Sequence, residues 1–193
     1  MKAKKKNLLV LCLVLLFTFT AMGCSNSKKQ DNEAELIKNY QVDFKNGERF
    51  FKSEVAPISI PETVILDVLK IEISDEYDKL NDLYSFNPLS DNYKKNFDDG
   101  EYIEEITVHS LEKISKEVYT NVASGIKYYG YIERLKPYKD NEIQVIEVNY
   151  TNKLTDKWNA IAQWGSGNWT RYYVLTQENS RAPWKILDIY GHM

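Results

Sequence analysis

Nucleophilic, metal and phosphate chemistry each need a few residue types at fixed spacings, and the 193-residue chain offers several near matches. Gly165-Ser166-Gly167 suggests a phosphate loop or a serine elbow. A dinucleotide loop needs a further glycine where Thr170 stands, and it must open a helix; a tryptophan-rich stretch follows instead. An elbow holds its serine one residue away from each glycine, whereas here both glycines touch it, so a hairpin turn is expected. Ser110-Leu111-Glu112-Lys113 and Ser90-Asp91-Asn92 match two motifs of penicillin-interacting enzymes. They occur in reversed order, with no Lys-Thr-Gly after them, in a chain too short for that fold. His109 and His192 are not at ligand spacing, and Asp98, Asp99 and Glu101 lack the calcium-loop pattern around Gly100. Neither a metal nor a cofactor is expected. His109, between Val108 and Ser110 in an expected strand, reads as a hydrogen-bonded structural histidine.

Aromatic side chains form the one real concentration. Trp158, Trp164, Trp169 and Trp184 all lie after residue 157, with Tyr172, Tyr173 and Tyr190 among them. Their flat faces suit three tasks: filling a sheet's core, lining an apolar pocket, or stacking on cell-wall sugars. If a pocket exists, its expected lining is Trp164, Trp169, Tyr172, Tyr173, Trp184 and Tyr190. Asp188 would be its carboxylate, flanked at strand spacing by Trp184, Ile186 and Tyr190.

The amino-terminal stretch bears on location. Lys2, Lys4, Lys5 and Lys6 precede an apolar run from Leu8 to Phe17, which fades into Ala21-Met22-Gly23-Cys24. Basic, apolar, then small residues is the order of a signal peptide, and the run falls short of the roughly 20 residues a spanning helix needs. Its end resembles the lipobox of bacterial lipoproteins, which implies cleavage between Gly23 and Cys24 and lipid on the Cys24 thiol. The expected setting is the outer face of a bacterial cytoplasmic membrane. Losing residues 1–23 removes four lysines and no carboxylate, which takes the formal charge from −3 to −7. Lysines and carboxylates alternate along the rest, so no nucleic-acid partner is expected. Of the two cysteines, Cys12 lies in the apolar run and Cys24 is the anchor, which leaves no thiol for a disulfide or a nucleophile in the folded part.

Residues 24–35 are polar and read as a tether. Residues 36–60 form an extension with a hairpin about Asn46-Gly47, and Pro57 and Pro61 mark the start of the main domain, residues 61–193. Pro61 and Glu62 open a helix through about Glu72, with Val64, Val68 and Ile71 on one face. Ser74 and Asp75 can cap a second helix carrying Tyr77, Leu80, Leu83 and Tyr84, and residues 90–97 suit a short third. Expected strands run from Tyr102 to Leu111, Lys127 to Leu135, Glu142 to Tyr150, Trp158 to Trp164, Trp169 to Gln177 and Trp184 to Tyr190. Lys113 to Gly125 suits either a strand or a short helix. Ile143 and Val145 oppose Ile146, Val148 and Tyr150, so the sheet is apolar on both faces and is either covered twice or curled about a cavity.

Helices followed by strands give an α+β fold. Pro61-Glu62-Thr63-Val64, Asp78-Lys79-Leu80 and Trp184-Lys185-Ile186-Leu187-Asp188 resemble the nuclear transport factor 2-like superfamily. Lys136-Pro137-Tyr138, Ser166-Gly167-Asn168-Trp169, Tyr173-Val174-Leu175 and Pro183-Trp184-Lys185-Ile186 resemble, more narrowly, the Gram-positive lipoprotein domain of unknown function 4829. The resemblance implies two or three helices packed on a strongly curved, mainly antiparallel sheet, cone-like and hollow. The expected role is a membrane-tethered, non-enzymatic binding or accessory module that takes a small apolar ligand or a protein partner. Its alternatives are an enzyme of the ketosteroid isomerase type using a buried carboxylate, and a surface for cell-wall glycan.

Overall fold

Local sequence signals become strands and helices in a computed structural model, which describes residues 30–121 and 132–192. Gly23, Cys24 and the signal-peptide pattern lie outside the described residues, as does most of the Lys127 to Leu135 segment. Residues 30–38, which fall in the unit Met1–Asn39, are helical. Where polarity pointed to a tether, Glu33-Ala34-Glu35-Leu36 supplies helix formers that need no burial.

The second unit runs from Tyr40 to Met193. Its sheet takes in the hairpin that the prolines at 57 and 61 set apart. Strands β1 (Asp43–Asn46) and β2 (Arg49–Ser53) pair antiparallel, reversed at Gly47, whose φ of 63° a side chain would strain. Then comes α1 (Ile60–Ser74), with Pro61 in its first turn and the Glu62 carboxylate accepting the backbone N–H groups of Ile58 and Ser59. Val64, Ile65, Leu66, Val68, Leu69, Ile71 and Ile73 are all buried, so α1 is wrapped by protein on most sides.

The expected second helix shrinks to a 3-10 turn (Tyr77–Lys79) and a single turn, α2 (Leu80–Leu83). Asp75 ends α1 in the left-handed conformation, at φ 66°, instead of capping a new helix. At the other end Tyr84 goes extended and bridges to Ile186. Helix α3 (Ser90–Asp98) follows, and Gly100 turns the chain into β3 (Ile103–Ile114).

Strands β3, β4 (Ile143–Leu154), β5 (Gly167–Thr176) and β6 (Lys185–His192) form an antiparallel run. The sheet has six strands in the order β1 to β6, and it is not closed. Its one parallel pair is β2 with β3, made possible by the helical crossover between them. Two expected strands differ. Trp158 to Trp164 begins within a helical turn, α6 (Asp156–Asn159), because Thr155 Oγ1 caps the Trp158 N–H at 3.3 Å. Ile132–Leu135 is a helical turn, α5. The ambiguous Lys113 to Gly125 segment contains α4 (Lys116–Tyr119).

The sheet is covered on both faces. Ile106, Val108, Ile146, Val148, Tyr173, Leu175 and Ile186 share the larger core with α1, while Val145, Tyr172, Val174 and Leu187 form a second core with Tyr119 and Leu135. Ile143 and Val145 do oppose Ile146, Val148 and Tyr150. β6 departs from simple alternation. Leu175 pairs with Ile186 but Val174 pairs with Asp188, so Leu187 is an inserted residue, a β-bulge. That extra residue moves Asp188 and Tyr190 to the face opposite Ile186.

Candidate functional site

The residues expected to line one pocket are divided among three places. Trp169, Tyr172 and Tyr173 are buried, and Trp184 is half-buried against the larger core. Trp169 donates its indole N–H to Asn152 Oδ1 at 2.9 Å and carries the Arg171 guanidinium over its ring at 4.5 Å. Trp164 is 54% exposed and touches Trp169 edge-on. Tyr172 and Tyr190 stack at 5.3 Å on the second face, on the far side of the sheet from Tyr173. Asp188 does not sit against an apolar wall of Trp184, Ile186 and Tyr190, because the bulge breaks that alignment. Its carboxylate instead accepts Arg134 Nη1 at 2.9 Å and the Ile189 N–H at 2.9 Å. His109, exposed on β3, bridges Glu54 at 2.9 Å and Thr151 at 2.8 Å, which is a structural use.

A different carboxylate occupies a hollow. Glu72, in the last turns of α1, lines a cavity of about 440 Å³ bounded also by α3, by the lead into β3 and by Trp158 of α6. Tyr77 and Tyr93 stack on one another at 5.7 Å along one wall, and Tyr102 and Trp158 furnish more aromatic surface. Pro88, Leu89, Asn92 and Asn96 contribute from the loop before α3 and from α3 itself. Leu89 holds a left-handed φ of 58° and is more than half exposed. Glu101 is the second carboxylate of the lining, and Lys157 pairs with it at 3.2 Å.

Arg49 organises the cavity from behind. It is 8% exposed. Its guanidinium donates to the Asp75 carboxylate, to the Glu72 backbone carbonyl and, through Nε at 3.0 Å, to the Ile103 carbonyl. The same group lies 4.9 Å from the ring centres of both Phe97 and Tyr102. One side chain thereby ties β2 to the end of α1, to α3 and to the start of β3.

Among the described residues, no side chain is recorded donating a hydrogen bond to the Glu72 carboxylate. Burial pushes its pKa up to about 8, with the charge of Arg49 opposing the rise. The charge of Glu72 and then burial hold the Tyr93 phenol well above its ordinary value, and burial first pushes Tyr77 up to about 12. Both phenols therefore stay protonated through the range in which Glu72 titrates.

A second cavity, of about 460 Å³, lies by the other side of α1 between Phe44, Lys70 and Leu83. Most of its charged side chains have partners. Asp67 accepts the Tyr40 hydroxyl at 2.6 Å, Lys70 lies over the Tyr40 ring and Lys79 pairs with Glu76. The Glu72 cavity is the better candidate because it sets a carboxylate of raised pKa among four aromatic side chains, Tyr77, Tyr93, Tyr102 and Trp158.

Sequence reasoning missed both Glu72 and Arg49. Glu72 carries a signal, since it continues the Ile65 and Leu69 stripe of α1 at helical spacing and so falls on an apolar face. Among the described residues no group of histidine, cysteine and carboxylate side chains could hold a metal ion, and no helix is long and apolar enough to cross a membrane. Compared with protein families, with characterised proteins and with solved structures, the chain finds no match.

Proposed function

We propose that the Tyr40–Met193 unit is a binding module for a small organic ligand, displayed outside a bacterial cytoplasmic membrane by lipid on Cys24. The observation that carries the binding role is the aromatic cavity of about 440 Å³ with the Glu72 carboxylate in its wall. Its volume suits a small molecule, and a few polar groups among aromatic ones is the make-up of ligand sites. The anchor rests on the Lys2 to Cys24 pattern. Kinship with the nuclear transport factor 2-like superfamily, and the cone-like sheet it implies, are supported by the run of helices leading into antiparallel strands from Ile60 onward and by the quoted motifs.

A narrower cavity tests the binding role. Wild type, incubated with a cell-envelope extract and washed, should retain a small molecule detectable by mass spectrometry, and Asn92→Trp should not. Equal retention by both proteins contradicts the assignment. For the anchor, Cys24→Ser should abolish incorporation of labelled fatty acid, because two acyl chains at ~0.8 kcal/mol per buried methylene hold a protein stably at a membrane. Wild type that takes up no label contradicts it.

Glu72 also favours a second reading, an enzyme of the ketosteroid isomerase type. A carboxylate titrating near the working pH beside protonated tyrosines has the attributes of a general base. Deuterium exchange at the carbon next to a ketone, lost in Glu72→Gln, would mark the enzyme. Binding without exchange marks the module.

A further inference from the structure

We infer that the ligand of the Glu72 cavity is an organic cation, an ammonium group on an apolar body, whose charge lies against Glu72 between the faces of the surrounding aromatic rings. This deepens the binding-module reading and rests on it. Three features of the cavity carry the inference.

The first is the sign of the lining. Among the described residues it contains two carboxylates, Glu72 and Glu101, and no lysine or arginine. Two cations stand at its border: Lys157, paired with Glu101, and Arg49, whose donors are directed to Asp75 and to the carbonyls of Glu72 and Ile103 while its faces meet Phe97 and Tyr102. An anion entering this hollow would find no cationic side chain in the lining to meet it. The second is the aromatic lining of Tyr77, Tyr93, Tyr102 and Trp158. Ring faces carry negative potential and attract ammonium groups, most strongly where water is excluded. The third is the state of Glu72 itself. A carboxylate that burial keeps from ionising gains most from a ligand that restores a positive neighbour.

The proton follows from this balance. Free protein holds Glu72 as the neutral acid below about pH 8. A permanently charged ammonium ligand carries no exchangeable proton, so the proton that leaves on binding comes from Glu72 and goes to solvent. The groups whose charge or phenol bears on Glu72 are Arg49 from β2, Tyr77 from the 3-10 turn, Tyr84 after α2, Tyr93 from α3, and Tyr150 and Tyr173 from β4 and β5. All five phenols are held above their ordinary value, chiefly by burial except at Tyr93, where the charge of Glu72 ranks first. Glu101, across the cavity, stays paired with Lys157. Glu72 is therefore the group that gives up the proton, and affinity should rise by about tenfold per pH unit up to pH 8, then level off.

The test uses the full chain and three probes of similar shape: benzyltrimethylammonium, its uncharged isostere neopentylbenzene, and phenylacetate. NMR follows the side-chain amides of Asn92 and Asn96 and the Trp158 indole, and calorimetry in buffers of different ionisation heat counts protons. The cation should move these signals with at least tenfold tighter binding than either other probe. It should release close to one proton at pH 7, and Glu72→Gln should weaken it about tenfold more than it weakens neopentylbenzene. If the uncharged probe or phenylacetate binds there as tightly as the cation, or if the cation binds without proton release, the ligand class is wrong and the pocket reading stands. If no probe moves the cavity signals, both fall. Proton release is read on wild type, so the outcome does not depend on the variant folding.

Discussion

Arg49→Met is expected to lower the unfolding free energy by about 3–5 kcal/mol, the range for removing one partner from a buried charge pair. Arg49 is buried while the Asp75 side chain is 30% exposed, so solvent screens part of the charge left behind. The larger share of the loss comes from two carbonyls, those of Glu72 and Ile103, which lose a charged donor in surroundings that water reaches poorly. Stacking on Phe97 and Tyr102 goes as well. Arg49→Lys should recover less than half of the loss, because an ammonium cannot aim a planar fork at three acceptors while lying between two rings. Urea unfolding followed by tryptophan fluorescence measures both variants. A loss below 1 kcal/mol for Arg49→Met would show that the side chain does not hold β2, α1 and β3 together.

The second large effect is in the pH dependence of stability. A glutamate ordinarily titrates near 4.5, and burial pushes Glu72 up to about 8. Between these values the folded protein holds a proton that the unfolded chain has lost. Stability contributed by Glu72 is then fully present below pH 4.5 and falls with rising pH by about 1.4 kcal/mol per unit until pH 8. The accumulated loss is roughly 5 kcal/mol, a large fraction of a typical domain's 5–15 kcal/mol. Glu72→Gln keeps the shape and the neutral polarity, so it should match wild type near pH 4.5 and exceed it by that amount at pH 9. Surface carboxylates do not confuse the result. Side-chain hydrogen bonds with His109 and Lys95 hold Glu54 and Asp99 below their ordinary values, so their contribution is lost as pH falls below the ordinary carboxylate range, outside this window. Stability curves of wild type and variant that run parallel from pH 5 to 9 would contradict the raised titration of Glu72.

How far the fold was legible depends on how local its causes are. The hairpin about Asn46-Gly47, the opening of α1 at Pro61 and Glu62, and the two-faced pattern of β4 are each written in consecutive residues, and each is found in place. The strand expected at Trp158 to Trp164 failed because its aromatic and β-branched residues outweighed a cap that is equally local, Thr155-Asp156. The bulge at Leu187 was out of reach, since an inserted residue is defined by the partner strand and leaves no mark in its own. That single residue is why Asp188, expected in a pocket, pairs with Arg134 instead. Glu72 was overlooked for a related reason. Near a helix end a glutamate reads as solvated, and only α3 and the lead into β3, packed against that end, turn its surroundings into a cavity.

The account turns on Glu72 facing a water-poor hollow, and its titration tests that most directly. Carbon-detected NMR of the side-chain carboxyl, assigned by comparison with Glu72→Gln, should give a midpoint near pH 8. A midpoint at the ordinary glutamate value of roughly 4–5 would contradict it, because the carboxylate would then be solvated and the cavity would offer a ligand no unpaired charge to meet.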